Sequence, residues 1–292
     1  MVIRERRLPA PWYPESPERI NRFLGDLPPG KEAPNAQGRS APAAAAPHAG
    51  WFYSGSIAAT AVSALDPRAD TVVVIGGHLP AGMSPLFAEE DGVRTPLGDI
   101  PIDGEFRELL RKELGGRPDR YQDNTVEILL PMVRYFFPRS RLLWVRFPAE
   151  AASLEAGEAV ARIAALLNRQ TVVLGSTDLT HYGDNYGFSP RGRGKKALDW
   201  VREVNDAAFI QAVLEGDAAK VLRRAEEDRS ACSAGAVLGA MGFARSAGAG
   251  KARLLAYGTS ADAAASEDAA AGDEDAVPDS FVGYGALGWY SA

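Results

Sequence analysis

The 292-residue chain has one cysteine and three histidines. A lone thiol, Cys232, cannot close an intramolecular disulfide, so a disulfide-stapled secreted scaffold is excluded. No clean apolar run is long enough to span a bilayer. The uncharged stretch Ser40 to Leu65 is broken by Pro42, Pro47, His48, Gly50, Ser54 and Gly55, and no lipid-facing helix carries that density of breakers and polar groups. The opening Met1–Arg7 segment lacks the apolar centre of a signal peptide, so a cytoplasmic protein is expected. A basic excess is missing as well. The formal charge is −6, from 32 Lys and Arg against 38 Asp and Glu. Seven of the acids (Asp262, Glu267, Asp268, Asp273, Glu274, Asp275 and Asp279) fall between 261 and 280, and without them the remainder carries +1. No field steers such a body to nucleic acid or to an anionic membrane. Walker A and G-x-S-x-G signatures are absent. Gly283-Tyr-Gly-Ala-Leu-Gly288 matches the dinucleotide fingerprint, but too little chain follows to build the helix that would hold a pyrophosphate.

Core-forming material is abundant: 46% of residues are hydrophobic, with five Trp, nine Tyr and eleven Phe. Strand-length runs alternate with helical patterns. Strands are expected at Ala43–Ala46, Thr71–Ile75, Arg141–Phe147, Thr171–Leu174, Ala252–Tyr257 and Phe281–Tyr290. Helices are expected at Ser56–Leu65, Gly104–Leu114, Thr125–Phe137, Ser153–Asn168, Lys195–Leu214, Ala218–Glu226 and Ala234–Ala247, with Ser153 and Asp217 as N-caps and Pro138 as a stop. Runs such as Thr71-Val-Val-Val-Ile75 read as parallel strands covered on both faces. The expected fold is α/β, a three-layer α/β/α sandwich around a mostly parallel or mixed sheet, in a single domain over 1–292. Residues 1–40 read as an extended arm with a short helix at Pro17–Leu24, and 261–280 as a mobile acidic surface loop.

Each histidine lies just past a strand-like run: His48 after Ala43–Pro47, His78 after Thr71–Gly77, and His181 after Thr171–Thr180. Ligands of open parallel sheets bind beyond the carboxyl ends of the strands, so the three imidazoles are candidates for one crevice. Gly50, Gly76, Gly77 and Gly183 beside them would allow close backbone approach. Three neutral imidazoles suit Zn, Fe, Cu or Ni. Cys232 precedes an apolar helix, where the dipole favours a thiolate able to bind metal or attack; the alternative is a small buried hydrophobe. Asp178 is placed to orient an imidazole or to ligate. Glu127 is either a dipole-favoured charge at a helix start or a buried supporting group. Trp51 and Tyr53 line a pocket or fill core, and Tyr182 is a further pocket candidate. Arg191, Arg193, Lys195 and Lys196 read as a solvated loop.

These residues sit in a wider pattern. Ala46-Pro-His-Ala-Gly-Trp-Phe-Tyr-Ser-Gly55, Arg94-Thr-Pro-Leu-Gly-Asp-Ile-Pro-Ile-Asp103 and Val126-Glu-Ile-Leu-Leu-Pro131 resemble segments of the Memo family, the B protein of the AmmeMemoRadiSam system. Gly175-Ser-Thr-Asp-Leu-Thr-His-Tyr-Gly183 and Val282-Gly-Tyr-Gly-Ala-Leu287 extend the resemblance over nearly the whole chain. It implies a fold similar to class III extradiol ring-cleaving dioxygenases. It also implies metal-site equivalents at His48, His78, His181 and Cys232, with Asp178 beside them. A family histidine is replaced by Asn124 here. The expectation that follows is a mononuclear protein binding a divalent metal, Fe(II) or Cu, with Zn as the other choice, and carrying redox or oxygen-dependent, dioxygenase-like chemistry. Cys232 would be a ligand or redox thiol, Asp178 would orient the ligands, and Glu127 would act as acid or base. The ligand would be a small molecule or peptide. The resemblance further implies a functional link to a radical SAM enzyme and to an AMMECR-like protein. Two other readings stand beside it, a peptide- or partner-binding module with a vestigial metal pocket and a zinc hydrolase.

Overall fold

Four short runs pair in parallel at the centre of the fold. The computed structural model describes residues 1–27, 40–263 and 277–291. In chain order the elements are β1 (Ile3–Arg4), α1 (Pro17–Gly25), β2 (Ala43–Ala46), α2 (Trp51–Ser63), β3 (Thr71–Leu79), β4 (Leu86–Phe87), β5 (Gly92–Val93), β6 (Ile100–Pro101) and α3 (Gly104–Leu114). Next come β7 (Arg117–Pro118), α4 (Asn124–Glu127), α5 (Leu130–Phe136), β8 (Arg141–Pro148), α6 (Ala152–Leu166), β9 (Thr171–Ser176) and β10 (His181–Gly183). The remainder is α7 (Lys195–Trp200), α8 (Ala207–Glu215), α9 (Ala218–Glu227), α10 (Ala234–Ser246), β11 (Lys251–Thr259) and β12 (Ser280–Tyr290). A π-helical turn, Val201–Asp206, joins α7 to α8.

The main sheet runs β10-β12-β2-β9-β3-β8-β4-β7, with β11 also on β12. β2, β9, β3 and β8 are mutually parallel, while β12 runs antiparallel to β2 and β4 antiparallel to β8. The sheet is therefore mixed. Alternate residues of each central strand feed two separate cores. Ala43, Ala45, Val73, Ile75, Leu143, Val145 and Val173 pack under α6, α8 and α10. Ala44, Ala46, Val72, Val74, Leu142, Trp144 and Val172 pack under α1, α2 and α5. A strand covered on both faces has no polar side, which is why these runs show no alternation. Alanine is a weak strand former, yet Ala43–Ala46 is fully buried and takes its conformation from its neighbours.

Several expected boundaries move. α2 begins at Trp51, five residues earlier than its apolar pattern suggested, so Trp51 and Tyr53 are helical. Thr125–Phe137 splits into α4 and α5, with Pro131 in the first turn of α5, where its missing N–H costs no intrahelical bond. Asp217 caps α9 by accepting from Lys220 N. Ser153 does not cap α6: it lies inside the helix and donates to the Pro148 carbonyl at 2.6 Å. Most of the expected acidic loop, residues 264–276, and part of the arm, 28–39, lie outside the described residues. Among the described residues, no helix is long and apolar enough to cross a membrane.

Candidate metal centre

The strand ends bring together residues far apart in sequence. His48 follows β2 and leads into α2. His78 is the penultimate residue of β3, and Cys232 stands two residues before α10. One ligand atom from each of the three lies within 4.8 Å of the others. His48 is buried, Cys232 half-buried and His78 exposed. His78 holds φ 55°, a conformation non-glycine residues keep only where surroundings enforce it. The enforcement is visible at Gly77: a Cβ there would come within 2.3 Å of the Ser233 side chain. At Gly76 it would meet Thr125 Oγ1 at the same distance. β3 is thus pressed against both α4 and the start of α10.

Each imidazole is oriented from behind. His48 Nδ1 is 2.9 Å from Ser176 Oγ, leaving Nε2 to face Cys232 Sγ at 3.2 Å. His78 Nδ1 is 3.0 Å from Asp123 Oδ2, which leaves its Nε2 for the Cys232 side. Such a partner on the far nitrogen fixes the tautomer of a metal-binding histidine. Asp123 is itself held by the buried Arg146 at 3.2 Å, and Arg146 also meets Asp119 at 3.5 Å. The backbone N–H of His48 donates to Asp178 Oδ1 at 2.7 Å, and Asn124 Nδ2 donates to the His48 carbonyl at 2.9 Å.

The electrostatics favour a thiolate. Burial alone would raise the Cys232 thiol, but the charge and hydrogen bonds of His48 and His78 hold it well below the usual thiol range. Burial works against a charged His78 too, and is outweighed by Asp123 and Cys232, so its imidazole is pushed up to about 10. His48 moves in the same direction, with Asp178 and Cys232 overcoming desolvation. Asp178 is raised by burial, against the pull of His48. One thiolate and two imidazoles with fixed orientation form a donor set that fits zinc, copper or iron.

A cavity of about 680 Å³ opens beside His48 and His78. Trp12, Tyr53, Asn124, Asp178, His181, Tyr186 and Tyr284 are among its walls, and among the described residues no Lys or Arg is. All three histidines line it, but His181 does not join the trio. It opens β10, pairs with Val282, and its Nδ1 is 3.1 Å from the Leu179 carbonyl. The other candidates separate cleanly. Tyr53 is on the wall. Trp51 is core: it packs against Tyr13 and Phe23, and its Nε1 donates to the Ile128 carbonyl. Tyr182 is also core, stacked on Phe281 with its hydroxyl on the Gly192 carbonyl. Glu127 lies outside the cavity wall. Its Oε1 accepts from Arg7 N, Leu8 N and the Tyr13 hydroxyl at 3.0, 2.8 and 3.2 Å, so it anchors the N-terminal arm. Asp123 was not among the sequence candidates. Its signal was Arg146 within the apolar run of β8, since a buried guanidinium demands a carboxylate.

Residues 4–277 match the family described as Memo-like protein. A MEMO1 family protein of Pyrococcus abyssi is 30% identical over 93% of this chain and 97% of its own length. One of Methanocaldococcus jannaschii is 32% identical over 79% and 81% respectively. A solved structure of an uncharacterized protein from Escherichia coli K12 aligns over 82% of this chain and 98% of its own, with a TM-score of 0.46 and 10% identity.

Proposed function

The chain belongs to the Memo family, and on that premise we propose that it is a mononuclear metalloprotein, holding iron(II) or copper on His48, His78 and Cys232 for redox or oxygen-dependent chemistry on a ligand in the adjoining cavity. The observation that carries this reading is the convergence of two Nδ1-anchored imidazoles and one thiolate. A metal on that set, when bound, supplies Lewis-acid polarisation and, if redox-active, electron transfer.

The remaining steps belong to the chain's own side chains. Ser176 and Asp123 hold the imidazoles with Nε2 forward. Asp178 fixes the His48 backbone through its Oδ1, and as a cavity-wall carboxyl it can exchange a proton with a ligand that comes within hydrogen-bond reach. The aromatic walls favour a planar or apolar ligand. Among the described residues no Lys or Arg lines them, so these walls present no fixed cation to grip a strongly anionic one.

The same donors suit zinc, so a hydrolase is the competing reading. Metal analysis separates the two, using protein purified anaerobically without tag or chelator, followed by electron paramagnetic resonance after chemical oxidation to Fe(III) or Cu(II). An iron or copper signal altered by Cys232→Ser supports the proposal. Zinc alone, with esterase or amidase turnover, supports the hydrolase and overturns the redox reading.

A further inference from the structure

The trio is reached from two sides. His48 and His78 stand in the wall of the large cavity, and Cys232 does not. Cys232 instead lines a second depression of about 360 Å³, walled by His181, Tyr186, Ala225, Arg229, Ala231 and Cys232, in which neither His48 nor His78 takes part. Among the described residues the two spaces share only His181 and Tyr186. Those rings meet edge to face, with centroids 4.9 Å apart and planes at 82°, so the pair forms a partition.

Each half of the partition is fastened. The His181 ring is tied to the Leu179 carbonyl. Tyr186 ends the 3-10 turn Asp184–Tyr186, which Gly187 closes at φ 59°. Arg229 reaches across to this turn, donating from Nη2 to the Tyr186 carbonyl at 3.0 Å and from Nη1 to the Gly187 carbonyl at 3.1 Å. Its guanidinium also lies over the Phe188 ring at 4.8 Å. Arg229 is itself held at φ 50°, a strained position that the clamp helps to retain.

We propose that the centre has two entrances: the cavity seats the organic ligand on the imidazole face, and the pocket between α9 and the His181–Tyr186 pair is a separate port delivering a small molecule of a few heavy atoms, anions preferred, to the Cys232 sulfur. The small side chains of Ala225 and Ala231 set its width. Arg229 supplies the fixed positive charge on its wall. The use of the port rests on the metal reading; its existence rests on which residues line which space.

Cys232 is the only thiol in the chain, so its alkylation is read by mass without ambiguity. In the metal-free full chain the thiolate displaces iodide from iodoacetamide, a C–S bond replacing a C–I bond, and the rate reports access. Ala225→Trp, which fills the port, is expected to slow the reaction about tenfold or more, whereas Pro11→Trp on the cavity wall leaves it within about twofold. A rate unchanged by Ala225→Trp, or slowed no more than by Pro11→Trp, overturns the proposal. Arg229→Glu provides a test that does not depend on packing a tryptophan. The ratio of iodoacetate to iodoacetamide rates cancels the thiolate fraction, and at about 0.15 M salt only nearby charges influence it. Passage beside Arg229 lowers that ratio several-fold in the variant, and an unchanged ratio contradicts the port. Zinc added beforehand shields Cys232 if the trio binds metal. Loss of that shielding counts against the metal reading while leaving the order of the tryptophan variants intact.

Discussion

Replacing Asp206 by asparagine isolates the buried charge that supports the Asp178–His181 turn from beneath. Asp206 closes the π-helical turn Val201–Asp206 and is fully buried. Its carboxylate accepts from Thr180 N at 3.0 Å, from the Thr180 hydroxyl, and from the Tyr257 hydroxyl at 2.8 Å. Space around it is tight, because a Cβ on Gly283 would lie 1.9 Å from Asp206 Oδ2. Burial outweighs the three donors and raises the carboxyl from 3.8 to about 7. The native chain therefore holds this proton more tightly than the unfolded chain. Its contribution to stability is complete below pH 3.8 and is lost as pH rises through about 7. Three units at 1.36 kcal/mol each amount to roughly 4 kcal/mol over the whole window, of which about 3 kcal/mol falls between pH 5 and 8. Asparagine has no proton to lose, and its amide retains an acceptor for Thr180 and a donor for the Tyr257 oxygen. Urea unfolding of both proteins at pH 5, 6, 7 and 8 should show Asp206→Asn gaining on the parent by about 3 kcal/mol across the range. A gap that stays flat, or closes with rising pH, refutes the reasoning.

Three further outcomes are expected. Glu127→Gln should cost about 1–3 kcal/mol, because three donors lose a charged acceptor. Hydrogen exchange should find the Arg7 and Leu8 amides less protected while metal content stays unchanged; a lost metal with an intact arm would tie Glu127 to the metal centre instead. Asp123→Asn removes the partner that orients His78, and chelator competition should show metal affinity reduced about 10- to 100-fold. Parental affinity would mean that His78 needs no support. Gly77→Ala drives a methyl into Ser233, beside Cys232. Circular dichroism should report a folded chain, about 1–3 kcal/mol less stable, with weakened metal binding, and tight binding in that variant would count against the close packing of β3 on α10.

The parts of the fold visible in the sequence are those governed by local burial. Thr71–Ile75 and Thr171–Leu174 announce themselves because a strand covered on both faces is apolar throughout. Their continuations, through His78 and Ser176, are polar or glycine-containing and follow only from pairing with neighbours. The expectation that histidines gather at strand ends puts all three beside one cavity, as the structure does, but only His48 and His78 bring a ligand atom close to Cys232. It groups His181 with them because the run before it looks like one strand. In fact β9 stops at Ser176, a turn through Asp178 follows, and His181 begins an antiparallel strand. Glu127 was ambiguous for another reason: its partners lie 114 to 120 residues away in the N-terminal arm, and no local pattern records them. Trp51 shows the limit of composition. An aromatic three residues after a candidate ligand reads equally as pocket or core, and helix phase, set by the start of α2, turns it inward.

The most direct test of the account is metal affinity, measured by chelator competition on the untagged chain and on His48→Ala, His78→Ala, Cys232→Ala and His181→Ala. Each of the first three substitutions should abolish tight binding of a single metal ion, while His181→Ala, which removes a cavity wall and no ligand, should retain it. Binding that survives loss of the trio residues, or that disappears equally with His181, would contradict a centre built on His48, His78 and Cys232.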